Sequence, residues 1–333
     1  MPVIAGGKFV VLGGASQVGA TIAEQLLVQG AREVVLLDNL MLGDAATFQP
    51  LLADARCRFV RGDVLRLNEL YDVCEAADGV FAVAAFMASS IGQNPWAAMD
   101  VNIRGLQNAL EACRMRAVRK IVISSSTGVY GAPEDDPTHE GSPLRWDALP
   151  PTMTLYCASK VVGEGLARLY RERYGLDFVA LRYTAVYGER QHRRALVGGH
   201  IAESCERIRQ GLPPVIEGDG AHVHDYVHVA DVARANLMAM ESAVSGEAIN
   251  ICGGQAVSQR RIVEIALAAA GSNLQPERRE RSGAKLPAAT TQTYSRDKAR
   301  RALGWEPQIG IEEGVRRVLR WVDAGRAGQQ TIE

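Results

Sequence analysis

Tyr156 and Lys160 stand four residues apart in Leu155-Tyr156-Cys157-Ala158-Ser159-Lys160. On a helix, positions i and i+4 share one face, so the ammonium can approach the phenol. A free tyrosine ionises near pH ~10. A cation roughly 4 Å away, at an effective dielectric near 20, offers about 4 kcal/mol. That would bring the phenol to within about two or three pH units of neutrality, where a side chain works as a general acid or base. An ordinary surface tyrosine and lysine would show the same spacing. The pair gains meaning from its neighbours.

The chain opens with such a neighbour. Lys8-Phe9-Val10-Val11-Leu12 is a short apolar run into Gly13-Gly14-Ala15-Ser16-Gln17-Val18-Gly19, followed by a helical pattern over 18–29. A strand, glycine turn and helix suit a dinucleotide: Gly13 allows a tight turn, Gly19 close helix–strand packing, and the helix N-terminus offers N–H groups to a pyrophosphate. Asp38 follows 19 residues beyond Gly19, after the apolar run 33–37. A carboxylate there can accept both ribose hydroxyls and would repel a 2′-phosphate, and no arginine directly follows it, so NAD is expected over NADP. A turn or helix cap is the plainer role for Asp38. Asp63, after the run 58–61, could bond an adenine edge, although Gly62-Asp63 also makes an ordinary turn.

The elements that must position these groups alternate along the first half. Strand-like runs at 8–12, 33–37, 58–61, 79–83 and 120–123 are separated by helical patterns at 18–29, 67–76 and 96–116. That alternation implies parallel βαβ units with both sheet faces covered, and ligands at the carboxyl ends of strands. The second half adds helical patterns at 195–210, 258–270 and 311–322, with a break at Gly211-Leu212-Pro213-Pro214.

Bulk numbers fit a soluble globular protein. The 333 residues are 47% hydrophobic and 23% charged, with net charge −1, so no broad basic field argues for nucleic acid or a membrane surface. The longest apolar stretch, 80–88, is too short to span a bilayer. No leader pattern precedes the first strand. The six cysteines lack paired spacing and read as reduced thiols of a cytoplasmic protein. His222, His224, Asp225 and His228 cluster, but no organised ligand motif closes the set, and no metal is expected. Arg278-Arg279-Glu280-Arg281 reads as a solvated loop.

The segments Gly13 to Gly19, Asp38-Asn39, Gly62-Asp63, Ala84-Ala85, Asn102, Ser124 to Gly131 and Tyr156 to Lys160 form an ordered set. Leu181-Arg182-Tyr183 through Tyr187-Gly188, Gly218-Asp219-Gly220, Asp225 to Ala233 and Leu303-Gly304-Trp305 continue it. Together they resemble the extended short-chain dehydrogenase/reductase family, also called NAD-dependent epimerases/dehydratases, over nearly the whole chain. Within that family's Gly-x-x-Gly-x-x-Gly fingerprint, Ser16 takes the middle glycine's place. The resemblance implies a Rossmann-type α/β fold: a doubly wound parallel sheet (1–184 and 223–251) and a smaller, sequence-interleaved substrate lobe (185–222 and 252–333).

By the same resemblance Ser126, Tyr156 and Lys160 are catalytic, Ser126 bonding the reacting oxygen and Lys160 also holding the nicotinamide ribose. Gly13, Ser16, Gln17, Val18, Gly19, Asp38, Asn39, Asp63, Val64, Ala84, Ala85, Asn102, Ser124, Tyr156 and Lys160 would hold NAD. Met87, Ser126, Thr127, Tyr183, Ala185, Arg190 and His224 would meet substrate. Helices near 97–115 and 155–174 would pair in a homodimer.

Where dehydrating members carry Asp-Glu after the active-site hydroxyl, this chain has Thr127-Gly128, so water loss is not expected. Hydride removal from a carbinol remains. A nucleotide-sugar epimerase in carbohydrate metabolism is the first expectation, and a dehydrogenase releasing a ketone and NADH the second. Departures at the diphosphate site weaken the nucleotide-sugar reading without removing it. Ala185 stands for an asparagine and His224 for an arginine, and a neutral histidine supplies one donor in place of five. Arg281 or Lys285 could answer to a third basic residue, and Arg190, Arg193 and Arg194 could compensate.

Overall fold

The structure is a computed structural model that describes residues 1–147, 149–191, 198–280 and 293–330, with side chains to 325. The apolar runs of the first half form β1 (Lys8–Leu12), β2 (Glu33–Asp38), β3 (Cys57–Arg61), β4 (Gly79–Ala82) and β5 (Lys120–Ser126). After them come β6 (Asp177–Tyr183), β7 (Ala185–Tyr187), β8 (Val215–Glu217), β9 (Val223–His228), β10 (Glu247–Ile251), β11 (Ala256–Ser258) and β12 (Glu277–Arg279).

Seven strands make one parallel sheet in the order β10-β6-β5-β4-β1-β2-β3. Both faces are covered, which is why β1 and β2 carry no apolar–polar alternation. Phe9, Val11, Leu36, Val122 and Leu181 pack on one face beneath helices Gln17–Val28 and Val229–Glu241. Val10, Leu12, Val35, Ile121 and Ile123 pack on the other beneath Leu67–Cys74, Leu106–Met115 and Pro151–Tyr174. Successive strands leave β1 in opposite directions, first to β2 and β3 and then to β4 and β5. The crevice between β1 and β4 at their carboxyl ends is therefore the switch point where such folds bind ligands.

The helix expected over 96–116 departs from a regular repeat. Pro95–Met99 and Leu106–Met115 are α-helical, and the turn between them, Asp100–Gly105, is a π-helix. One wide turn shifts the helical phase and is a recurrent device near functional sites.

Of the stretch expected to return to the cofactor domain, Val229–Glu241 packs on Gln17–Val28 and β10 joins at the sheet edge. Strand β9 instead lies in a separate three-stranded sheet, β11-β9-β7, and β8 pairs with β12. Helices Gly199–Arg209, Gln259–Ala270 and Ile311–Gln330 enclose a third core around Tyr187, Tyr226, Ile262 and Val318. Among the described residues no helix is long and apolar enough to cross a membrane.

Candidate active site

The glycine turn closes on itself through Ser16. Its hydroxyl donates to the Gly13 carbonyl at 2.7 Å and accepts from Gly19 N at 3.1 Å, capping Gln17–Val28. A serine in the middle position thus satisfies two backbone groups of the turn. Gly13 has φ +87°, and a Cβ there would lie 2.6 Å from Ala84 N; a Cβ at Gly19 would lie 2.3 Å from the Gly13 carbonyl. Neither position admits a side chain, so the turn stays bare backbone at a helix N-terminus, the shape and polarity a pyrophosphate needs.

Asp38 ends β2 with its carboxylate at this turn. Oδ2 accepts from Ala15 N at 3.0 Å and Oδ1 from Leu40 N at 2.8 Å. Burial raises its pKa; the two backbone donors pull it down, and nearby Asp63 raises it. Each oxygen keeps a second lone pair for a ribose hydroxyl. Asp63 takes Leu65 N at 2.9 Å and Asn39 Nδ2 at 3.1 Å, joining the ends of β2 and β3. Val64, Ala84, Asn102, Ser124 and Lys160 line a narrow cleft running on from there toward β5.

Asn102 sits in the π-turn, fully engaged. It accepts from Phe86 N at 2.7 Å and donates to the Phe86 carbonyl at 3.0 Å and Ser159 Oγ at 3.2 Å. It therefore fixes the segment after β4 against the helix that carries Tyr156, a structural route to ordering the site.

Tyr156, Ser126 and Lys160 meet at the carboxyl end of β5. Ser126 Oγ accepts from Gly128 N at 3.0 Å, which leaves its proton for the Tyr156 phenol. Tyr156 is buried, and burial pushes its phenol up to about 12 while the Ser126 hydroxyl pulls it down. Lys160 Nζ donates to the Ser124 carbonyl at 2.9 Å and stands 5.7 Å from the Tyr156 ring centre. Desolvation lowers the ammonium to about 8, opposed by Glu164. Both groups share one face of the helix, as their spacing requires; the ammonium donates one bond to a strand-end carbonyl, and desolvation holds it below its ordinary value.

Of the groups expected to meet substrate, Met87, Ser126, Thr127 and Tyr183 lie around the end of β5. Met87 is half exposed, with its sulfur 3.8 Å from Tyr156 Oη. Thr127 is buried and donates to the Tyr183 carbonyl at 3.2 Å, and the Tyr294 hydroxyl bonds to it. The Tyr183 hydroxyl is bound by Asn236 at 2.8 Å and lies 3.3 Å from Ser124 Oγ. Arg190 forks onto Glu24 at 2.8 and 3.3 Å. Ala185 begins β7. The His224 ring stacks parallel to His222 at 6.3 Å and edge-on to Tyr226 at 6.0 Å. Arg193, Arg194, Arg281 and Lys285 lie outside the described residues, and no group of metal-ligating side chains occurs among the described ones.

The sequence reading gave no role to two residues, although one stands in its Leu181-Arg182-Tyr183 segment. Glu164 and Arg182 form a buried ion pair directly behind Lys160. The available signal was a lone charge in the apolar run 178–183, together with an acid one turn beyond Lys160.

Residues 9–252 match the model of the NAD dependent epimerase/dehydratase family. The UDP-glucose 4-epimerase of Mycolicibacterium smegmatis is 33% identical over 318 residues, which is 94% of this chain and 97% of that protein. The Thermus thermophilus UDP-glucose 4-epimerase in complex with NAD superposes with a TM-score of 0.79 at 30% identity, over 95% of this chain and 99% of that one. The Thermotoga maritima UDP-glucose 4-epimerase with UDP-glucose does so with 0.83 at 26% identity, over 98% and 100%. With the glycine turn, Asp38 and the Ser126-Tyr156-Lys160 group all at one switch point, this chain belongs to the NAD-dependent epimerase/dehydratase family.

Proposed function

We propose that the protein inverts a ring carbinol of a nucleotide sugar through a transient ketone, with Tyr156 as general base. The observation that carries this reading is the meeting of Tyr156, Ser126 and Lys160 at the end of β5, beside a glycine turn that admits no side chain. NAD is the cofactor, and Gly13, Ser16, Asp38, Asn102 and Lys160 are among the residues that would hold it. When bound, NAD would supply the acceptor, and then the donor, of the carbinol carbon's hydride. Tyr156 Oη removes the carbinol proton as hydride leaves and restores it on return. Ser126 donates to the reacting oxygen as charge develops. Lys160 keeps a positive charge beside both.

Two further features belong to this reading. The stretches 185–222 and 252–333 would cover the sugar and its nucleotide. Leu155, Val162 and Leu169 repeat every seven residues along Pro151–Tyr174 and stand exposed, an apolar stripe suited to a homodimer. Six free, buried cysteines fit a cytoplasmic setting.

The test is a thermal-shift panel with NAD present, comparing uridine and guanosine diphosphates with unphosphorylated sugars and hydroxy acids. Stabilisation by a nucleoside diphosphate, then interconversion of the matching sugar nucleotide followed by NMR and abolished in Tyr156→Phe, is the expected result. Stoichiometric NADH release from an unphosphorylated substrate, with no diphosphate shift, would replace the epimerase by a dehydrogenase.

A further inference from the structure

Behind the Tyr156–Lys160 face runs a chain of buried polar groups that the acid–base chemistry does not use. Arg182 on β6 donates through Nε and Nη2 to the two carboxylate oxygens of Glu164, at 2.9 and 2.7 Å. Ser125 Oγ donates to Glu164 Oε1 at 2.7 Å. Arg182 Nη1 donates to Tyr130 Oη at 2.8 Å, which donates to Asn250 Oδ1 at 2.7 Å. Glu164 and Arg182 are 3% and 6% exposed.

Stability is a poor reason for such a pair. Removing two charges from water offsets most of their attraction, and an apolar pair of similar volume is often as stable or more so. Location offers a better one. Ser125 lies between Ser124, whose carbonyl holds Lys160 Nζ, and Ser126, whose hydroxyl faces Tyr156. Glu164 rides on the helix that carries both Tyr156 and Lys160. The network ties together the two elements whose separation sets the geometry of the reacting groups. The strand β6 anchors both.

We propose that Glu164 and Arg182 are positioning residues that clamp β5 to helix Pro151–Tyr174 and keep a negative charge behind the Lys160 ammonium. This rests on the acid–base reading of Ser126, Tyr156 and Lys160. Tyr156 and Glu164 on its own helix face Lys160, and the Glu164 carboxylate is shared by Arg182 on β6 at 2.7 Å and by the half-exposed Arg168, one turn further on, at 3.8 Å. From β5 Lys160 meets the Ser124 carbonyl, and from the facing helix only Asn102, Gly105, Leu106 and Ala109 line its cleft. Glu164 is the group that opposes loss of its proton.

The test uses full-length protein loaded with NAD. Glu164→Gln is expected to lower kcat at least tenfold with KM nearly unchanged, and to move the Lys160 titration midpoint down by about one pH unit. That midpoint is read by NMR with 13C-labelled lysine and assigned through Lys160→Met. Because Glu164→Gln leaves Arg182 buried without a countercharge, the double variant Glu164→Leu/Arg182→Met removes both charges and is expected to fold. In it, too, kcat falls and the midpoint drops. A folded variant of either kind with wild-type kcat and an unmoved Lys160 midpoint overturns the proposal. Failure of the epimerase reading would show separately, as wild-type protein that turns over no sugar nucleotide while the Lys160 midpoint still responds to Glu164.

Discussion

Lys160 Nζ meets the Ser124 carbonyl at 2.9 Å and stays 5.7 Å from the centre of the Tyr156 ring. The lysine is thus held by the strand that also presents Ser126. Its ammonium is desolvated there, which lowers it from 10.5 to about 8. Between those two pH values the unfolded chain binds a proton that the folded chain has lost. Stability therefore rises with pH across that window, and the full penalty, at most roughly 3 kcal/mol, applies below pH 8.

Lys160→Met removes that penalty along with the charge. Its expected outcome is a thermal midpoint a few degrees above wild type at pH 7, a gap that narrows toward pH 10, and a kcat lower by about 10²–10⁴. Calorimetry at both pH values, alongside kinetics, checks it. A variant equally destabilised at all pH values would contradict the burial argument.

Asp38 is held by Ala15 N and Leu40 N, so its carboxylate stays at the glycine turn. A 2′-phosphate arriving there meets a negative charge. Wild-type protein is expected to bind NAD more tightly than NADP, and Asp38→Asn to narrow the gap by about tenfold, worth about 1.4 kcal/mol. Calorimetric titration of both dinucleotides decides. Equal affinities in the wild type would remove the role given to Asp38.

How much of this was legible in the sequence depended on the range of the interactions. The runs 8–12, 33–37 and 120–123 are strands because uninterrupted apolar residues bounded by glycine or serine have few other uses. The π-turn Asp100–Gly105 left no mark, since a single wide turn barely disturbs the apolar repeat on either side. Tyr156 and Lys160 share a helix face, as their spacing requires, but the end of a lysine chain goes to the nearest unfilled acceptor. That acceptor, the Ser124 carbonyl, lies 36 residues back in the chain. The pairing of Glu164 with Arg182 was unreadable for the same reason: spacing along one element says nothing about which charge a neighbouring strand brings. Short strands such as β8 and β12 form from pairing rather than from composition, and Glu277–Arg279 has no apolar residue at all.

The stripe of Leu155, Val162 and Leu169 predicts association. Each is about two-fifths exposed or more, and they sit two helical turns apart on one face of Pro151–Tyr174. Burying the exposed two-fifths or so of each side chain against a second copy is worth about 1 kcal/mol apiece. Val162→Glu with Leu169→Glu is expected to give monomers that keep the wild-type circular dichroism spectrum, read by sedimentation. A wild-type chain that already sediments as a monomer would end the idea.

His224 offers the sharpest test of the substrate. It lies on β9 with Tyr226, its ring 6.0 Å from that ring and 6.3 Å from His222, which just precedes the strand. If this side of the strand meets the diphosphate, a neutral imidazole contributes one donor where arginine would contribute a charged fork. His224→Arg is then expected to tighten UDP about tenfold, about 1.4 kcal/mol, and to leave uridine unchanged. The gain must shrink as salt rises, because it is electrostatic at a partly exposed site. Titration calorimetry of UDP and uridine at low and high ionic strength separates these contributions. An unchanged UDP affinity, or an equal gain for uridine, would put the diphosphate elsewhere than β9 and leave a nucleotide sugar without its anion contact on this strand.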